Sequence, residues 1–158
     1  MRGYSVQFLE AIKHPRIQGM ELKAGDKVLL RNKFRKDEIS IIQVVDNIRL
    51  ERFTIKGYET NIVMHPVFRK NFLFIPDVYN PKNPYRSLIG MLGDNYNINK
   101  YRLNKRTFYD ITFNFKTILK VDKEQVFCGE DFQLTLLKAV ILRKTGQLWQ
   151  PSKKRWSV

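Results

Sequence analysis

Cysteine and histidine are almost missing from this 158-residue chain, which has one of the first, Cys128, and two of the second, His14 and His65. A lone thiol excludes an intrachain disulfide and fits a reducing compartment better than an oxidising one. Both histidines precede proline, in extended segments, and no ligand-like spacing joins them to Cys128, so no metal site is expected. Long apolar runs are absent as well. Nothing approaches the roughly 18 to 20 apolar residues that cross a bilayer, and the opening MRGYSVQFLEAIKH lacks the apolar stretch of a signal peptide. The expectation is an intracellular protein of the cytoplasm or an organelle interior, not secreted and without a membrane span. The one glycine pair that could suggest a phosphate loop, GMLG at Gly90 to Gly93, is too short and has no Lys-Ser/Thr behind it. No nucleophile elbow occurs, and no cofactor is implied.

Acidic residues are also scarce. Fifteen Asp and Glu face 29 Lys and Arg, giving a net charge of +14 and a pI near 10.0. Self-repulsion among so many like charges disfavours the compact state, so the excess points to a polyanionic partner. The apolar content, 43% with 13% aromatic, is enough for a real core. The length suits one domain, 1–158.

The predicted elements begin with a short helix in SVQFLEAIKH, capped by Ser5 and stopped at Pro15. After a turn at Gly25-Asp26, a strand points Val28, Leu30 and Phe34 one way and Lys27, Arg31, Lys33 and Arg35 the other. EISIIQVVDNI, apolar on both parities, is a strand covered on both faces. LERFTIKG, a turn at Gly57 and YETNIVMH complete a meander that resembles the strongly bent sheets of SH3-like or OB-like barrels. From about 76 to 105 the chain changes character. Three prolines, many asparagines and Tyr79, Tyr85, Tyr96 and Tyr101 fall here, and residues 80 to 109 hold six cations against Asp94 alone, which predicts a long basic loop with at most one short helix near Ser87 to Leu92.

Arg106 to Val121 then alternates. Tyr109, Ile111, Phe113, Phe115, Leu119 and Val121 share one parity, and Asp110, Thr112, Asn114, Lys116 and Lys120 the other. That is the pattern of a strand with one face in the core, so Phe113 and Phe115 are predicted to be core residues. Asp131 to Gly146 follows as a C-terminal amphipathic helix with Leu136, Leu137, Val140 and Ile141 on its apolar face. A basic tail, about 147–158, ends the chain. The fold class is therefore α+β: a strongly bent antiparallel sheet with that helix, the long loop and the tail.

The expected function is non-catalytic nucleic-acid binding, RNA preferred over DNA, as a structural component of a ribosome or other ribonucleoprotein particle alongside other proteins of a large assembly. Cations neutralise phosphates while aromatic rings stack on unpaired bases, and the candidate contacts in the loop and tail are Lys82, Arg86, Lys100, Tyr101, Arg102, Lys105, Arg106, Lys153, Lys154, Arg155 and Trp156. Two alternatives stand beside it. One is a structural or adaptor protein of a viral or other large assembly. The other is a small metal-dependent nuclease built on Asp77, Asp110, Asp122 and Glu124, of which the last two share a face only if the strand persists past Val121.

Overall fold

A computed structural model describes residues 4–23, 26–30, 40–46, 51–55, 61–64, 72–115 and 123–158. It mixes α-helices with antiparallel sheets, and its contacts separate two compact units. The first comprises Met1 and Ile12–Asp77, the second Arg2–Ala11 and Val78–Val158. Among the described residues no helix is long and apolar enough to cross a membrane.

The first unit is built on a five-stranded antiparallel sheet of β1 (Lys27–Leu30), β2 (Ser40–Asp46), β3 (Glu51–Ile55), β4 (Asn61–Met64) and β5 (Phe72–Ile75), in the order β4-β3-β2-β1-β5. The first four form the expected meander, and β5 returns to pair with the free side of β1. A register shift between Val44 and Asp46 bulges β2 against β3, a device that strengthens local twist. No ladder joins β4 to β5 among the described residues. Val28 and Leu29 are both buried, so β1 is covered on its two faces where alternation predicted one. Phe34, Arg31, Lys33, Arg35, Gly57 and His65 lie outside the described residues.

Pro15 ends the first helical run and opens a second. It is the first residue of a short helix, α2 (Pro15–Gln18), which His14 caps by accepting from the Arg16 N–H through Nδ1 at 3.0 Å. Gln18 then fastens α2 to the sheet. Its amide donates to the Phe74 carbonyl at 3.0 Å and accepts from the Phe74 N–H at 2.8 Å, completing the outer edge of β5 as a neighbouring strand would.

The second unit centres on α4 (Phe132–Thr145). Asp131 accepts from the Leu134 N–H at 3.1 Å, and Gly146, left-handed at φ 73°, closes the other end. The helix was expected to be amphipathic. Instead Leu134 to Leu137 and Ala139 to Ile141 are all buried, because sheet, helices and tail surround it: it packs on α1 (Val6–Ala11), α3 (Leu88–Leu92), β7 (Arg106–Phe115), β8 (Lys123–Gly129) and β9 (Leu148–Gln150). Ser5 caps α1 as predicted, accepting from the Phe8 N–H at 3.1 Å, and its hydroxyl also bonds the Asp131 carboxylate, tying together the two helix starts.

The stretch expected as a long loop is largely structured. Asn80 accepts from the Lys82 and Asn83 N–H groups, Pro84–Arg86 makes a 3-10 turn, and α3 follows with Ser87 as its cap. The helix signal is short but physical, since Leu88, Met91 and Leu92 sit at one helical face and are buried. The glycines of GMLG serve this turn. A Cβ on Gly90 would meet the Pro84 carbonyl oxygen at 1.7 Å, and Gly93 ends α3 at φ 75°. The rest of that stretch is β6 (Tyr96–Leu103), which pairs with β7, and β7 with β8, in an antiparallel three-stranded sheet.

The tail is structured too. β9 and β10 (Arg155–Ser157) form a hairpin in which Trp156 faces Trp149, ring centroids 5.3 Å apart, and the Trp156 indole N–H donates to the Ala11 carbonyl at 2.9 Å. Three-residue strands carry no readable periodicity, which is why the sequence did not announce this hairpin.

Two stability outcomes follow. Phe113 is 1% exposed, against the edge of Phe127 and under the Arg143 guanidinium; Phe113→Ala is expected to cost about 3 to 5 kcal/mol in denaturant unfolding. Deleting Pro151 to Val158 removes β10 and the indole bond to α1, and is expected to cost on the order of 2 kcal/mol, read as a lower melting temperature. An unchanged melting curve would make the tail a free arm.

Candidate nucleic-acid interface

β6 and β7 are joined by a two-residue turn, Asn104-Lys105, with φ of 51° and 63°. Two successive left-handed residues define the type I′ turn whose twist matches a hairpin, and asparagine tolerates the first position. The turn fixes the register: Leu103 faces Arg106, Arg102 faces Thr107, Tyr101 faces Phe108 and Lys100 faces Tyr109.

Facing residues share a side of the sheet, so the two surfaces can be assigned. Ile111 and Phe113 are buried on the side covered by α4, and Tyr109 on that side stacks on Phe132 at 4.5 Å. The aromatic parity of β7 is therefore a core wall, as expected for Phe113; of Phe115 only the backbone, opposite Lys123, is described. The other surface carries Asn97, Asn99, Tyr101, Leu103, Arg106, Phe108, Asp110, Thr112 and Cys128, none of them buried. β6 alternates in burial only near its start, and from Lys100 to Arg106 every residue is exposed. The outer hairpin is thus a two-stranded ribbon wetted on both sides.

Four cations and no acid occupy its seven residues from 100 to 106. Lys100 lies 6.0 Å above the Tyr109 ring, and Arg106 makes an exposed ion pair with Glu130 at 3.6 Å. A surface pair of that kind is worth about 1 kcal/mol or less, so a phosphate can displace the carboxylate. Arg102 and Lys105 are exposed.

The hairpin thus unites five of the predicted contacts, Lys100, Tyr101, Arg102, Lys105 and Arg106. Lys153, Lys154 and Arg155 sit exposed on the turn and start of the second hairpin, β9–β10, and Lys82 is exposed in its Asn80 turn. Two expected contacts are corrected. Arg86 is 7% exposed and belongs to the interior, and Trp156 is held by Trp149 and the Ala11 carbonyl, so its ring anchors the tail. Arg143, one of the cations near the C-terminus, is also structural: it donates through Nη1 to the carbonyls of Leu92, at 2.6 Å, and Asp94.

Phe108 is the residue that alternation does not single out. It stacks on Tyr101 with centroids 5.6 Å apart and planes 16° from parallel. Counting back from a two-residue Asn104-Lys105 turn would have paired the two rings. Tyr101 also meets Cys128, its hydroxyl 3.4 Å from Sγ. Cys128 is on β8, two strands away, so the tyrosine lies across β7. That hydrogen bond, loss of hydration and the nearby Asp110 charge together push the Tyr101 hydroxyl up to about 12. The ring stays neutral at physiological pH and adds no negative charge to the cationic ribbon.

The acids considered for a nuclease do not form a described cluster. Asp77 pairs with Lys27 at 3.1 Å, Asp110 lies beside Tyr101, Asp122 is outside the described residues and Glu124 is described only as the backbone partner of Asn114. Among the described residues no three of His, Cys, Asp and Glu converge as metal ligands. No protein-family model matches the chain, and neither a curated protein nor a solved structure matches it.

The raised Tyr101 hydroxyl can be read directly. The difference in alkaline absorbance between the wild type and Tyr101→Phe is expected to show a phenol ionising near pH 12, against the ordinary value of 10.0. Because the folded value is the higher one, the stabilisation from the Tyr101 hydrogen bond is complete below about pH 10 and disappears as pH rises through about 12. A difference midpoint at the ordinary value would mean that the bond to Cys128 does not form.

Proposed function

We propose that this is a non-catalytic nucleic-acid-binding protein, RNA preferred over DNA, serving as a structural component of a ribosome or other ribonucleoprotein particle, and that the outer β6–β7 hairpin is its main phosphate-contacting element. The observation that carries this reading is the ribbon itself: four cations without an acid, exposed on both sides of a projecting hairpin. A protein gains no core stability from such a feature, and like charges held on adjacent rungs repel. A polyanion removes that repulsion and releases counterions as it binds.

Charge is also unevenly shared. The second unit, which contains both hairpins, has 16 Lys and Arg against 7 Asp and Glu, a net +9, whereas the first has 13 against 8, a net +5. The strand order of the first unit, with β1 between β2 and β5, supports an SH3-like reading of that sheet. SH3-like sheets host many functions, so this bears on architecture alone.

Binding is expected to be steeply salt-dependent, the affinity for a single-stranded RNA oligomer falling about a thousandfold or more between roughly 50 and 200 mM salt if about seven or more phosphates are neutralised. Lys105→Gln with Arg106→Gln should weaken binding and make the slope of log affinity against log salt shallower by about 0.7 for each single-strand phosphate that is no longer neutralised. A flat salt dependence overturns the proposal. Defined oligomers free of nucleic acid would favour the adaptor reading, and degradation of the oligomer on adding a divalent cation would favour the nuclease.

A further inference from the structure

Resting on that reading, we infer that the hairpin selects unpaired nucleobases, which stack on the Tyr101–Phe108 pair of the open sheet face while the neighbouring cations hold the phosphates. Three observations meet at this place. α4 covers the Ile111 and Phe113 side of the sheet, so the opposite side is the one open to solvent. On that open side two aromatic rings lie nearly parallel, Tyr101 40% exposed, with Leu103, 57% exposed, on the next rung. Arg106 shares that rung and Lys105 adjoins it in the turn, so cations flank the rings on the side where a strand would lie.

The chemistry discriminates between single and double strands. Two stacked rings leave each with one face outside the pair, and a planar base can extend the stack, an interaction worth about 1 to 3 kcal/mol per base, or roughly tenfold in affinity for each 1.4 kcal/mol. In a duplex the base faces are already stacked on one another and only edges are presented. The B-form major groove does admit a two-stranded ribbon, but it offers an aromatic side chain such as Phe108 a thymine methyl and no base face to stack on. The A-form major groove is too deep and narrow for side chains to read. Tyr101 is prepared for stacking, because its hydroxyl is tethered to Cys128 across β7 and its ring is already paired with Phe108, so binding costs little side-chain freedom. Asp110 is the one acid on this face of β7, two residues from Phe108, and Arg106 on the face and Lys105 in the turn outnumber it.

The test uses the full chain and probes of equal length, roughly twelve nucleotides: a single-stranded uridine oligomer, its deoxythymidine counterpart, an abasic sugar-phosphate strand and a duplex. The single strands are expected to bind about tenfold or more tighter than the abasic strand at one salt concentration. Tyr101→Leu with Phe108→Leu, shown by its melting curve to be folded, should remove that advantage, leaving abasic binding and its salt slope unchanged. A preference for the ribose strand would assign RNA, and equal binding of the two sugars would assign the unpaired base alone; either supports stacking. Equal affinity for the intact and abasic strands, or tighter binding of the duplex, overturns the stacking inference while leaving the phosphate reading standing. Failure of the wild type to bind any probe overturns both. Should the leucine variant not fold, the wild-type comparison of intact with abasic strands still decides.

Discussion

The packing of Ile111 and Phe113 against α4 decides which way β7 faces, and what the second unit presents to solvent follows from it. A strand has only two sides, and a shift of one residue would exchange them. With two fully buried apolar side chains held under a helix that is itself enclosed, that exchange would expose both and bury Asp110 and Thr112. The register of β6 is then set by the Asn104-Lys105 turn, so Tyr101 and Phe108 are placed on the open side by burial that occurs several rungs away. The candidate surface is a by-product of the core, placed by packing and strand register.

The cations divide by the same logic. Arg143 lies over Phe113 and donates to the carbonyls at the end of α3, and Arg86 is buried; both hold the unit together. Arg102, Lys105, Lys153 and Lys154 lie at exposed positions on hairpins. A guanidinium suits the interior role because its planar fork can meet carbonyls and a ring face at once. The formal charge of the second unit thus overstates what is available to a polyanion, since Arg86 and Arg143 are engaged in holding its described residues together.

The sequence made some of this legible. The C-terminal helix, its Asp131 and Gly146 ends, the Ser5 cap, the antiparallel meander and the core role of Phe113 could be read because each has a local signature: a cap residue, a glycine with left-handed φ, or sustained alternation. The 76–105 stretch was harder. β6 has four consecutive polar or tyrosine residues from Asn99 to Arg102, so its period of two is hidden, and its turn has lysine where glycine would have announced a hairpin. Enclosure of α4 was also illegible, because Lys138 and the flanking polar residues suggested a wet face that the surrounding elements in fact narrow.

Composition alone could not separate the two hairpins, since both are basic and both contain aromatic rings. What distinguishes them is where the rings are engaged. In β9–β10 the indoles pack on each other and Trp156 donates to α1, so that pair stabilises the unit while the cations Lys153, Lys154 and Arg155 stay outside. In β6–β7 the rings pair on the face opposite the one that α4 covers, and Tyr101 is held across the sheet by a thiol. A Trp pair tied to a helix resists removal, whereas an aromatic pair on an open, cationic sheet is already arranged for a third ring. The difference is invisible in residue counts and follows from strand pairing, which decides whether an aromatic side chain belongs to the fold or to a ligand.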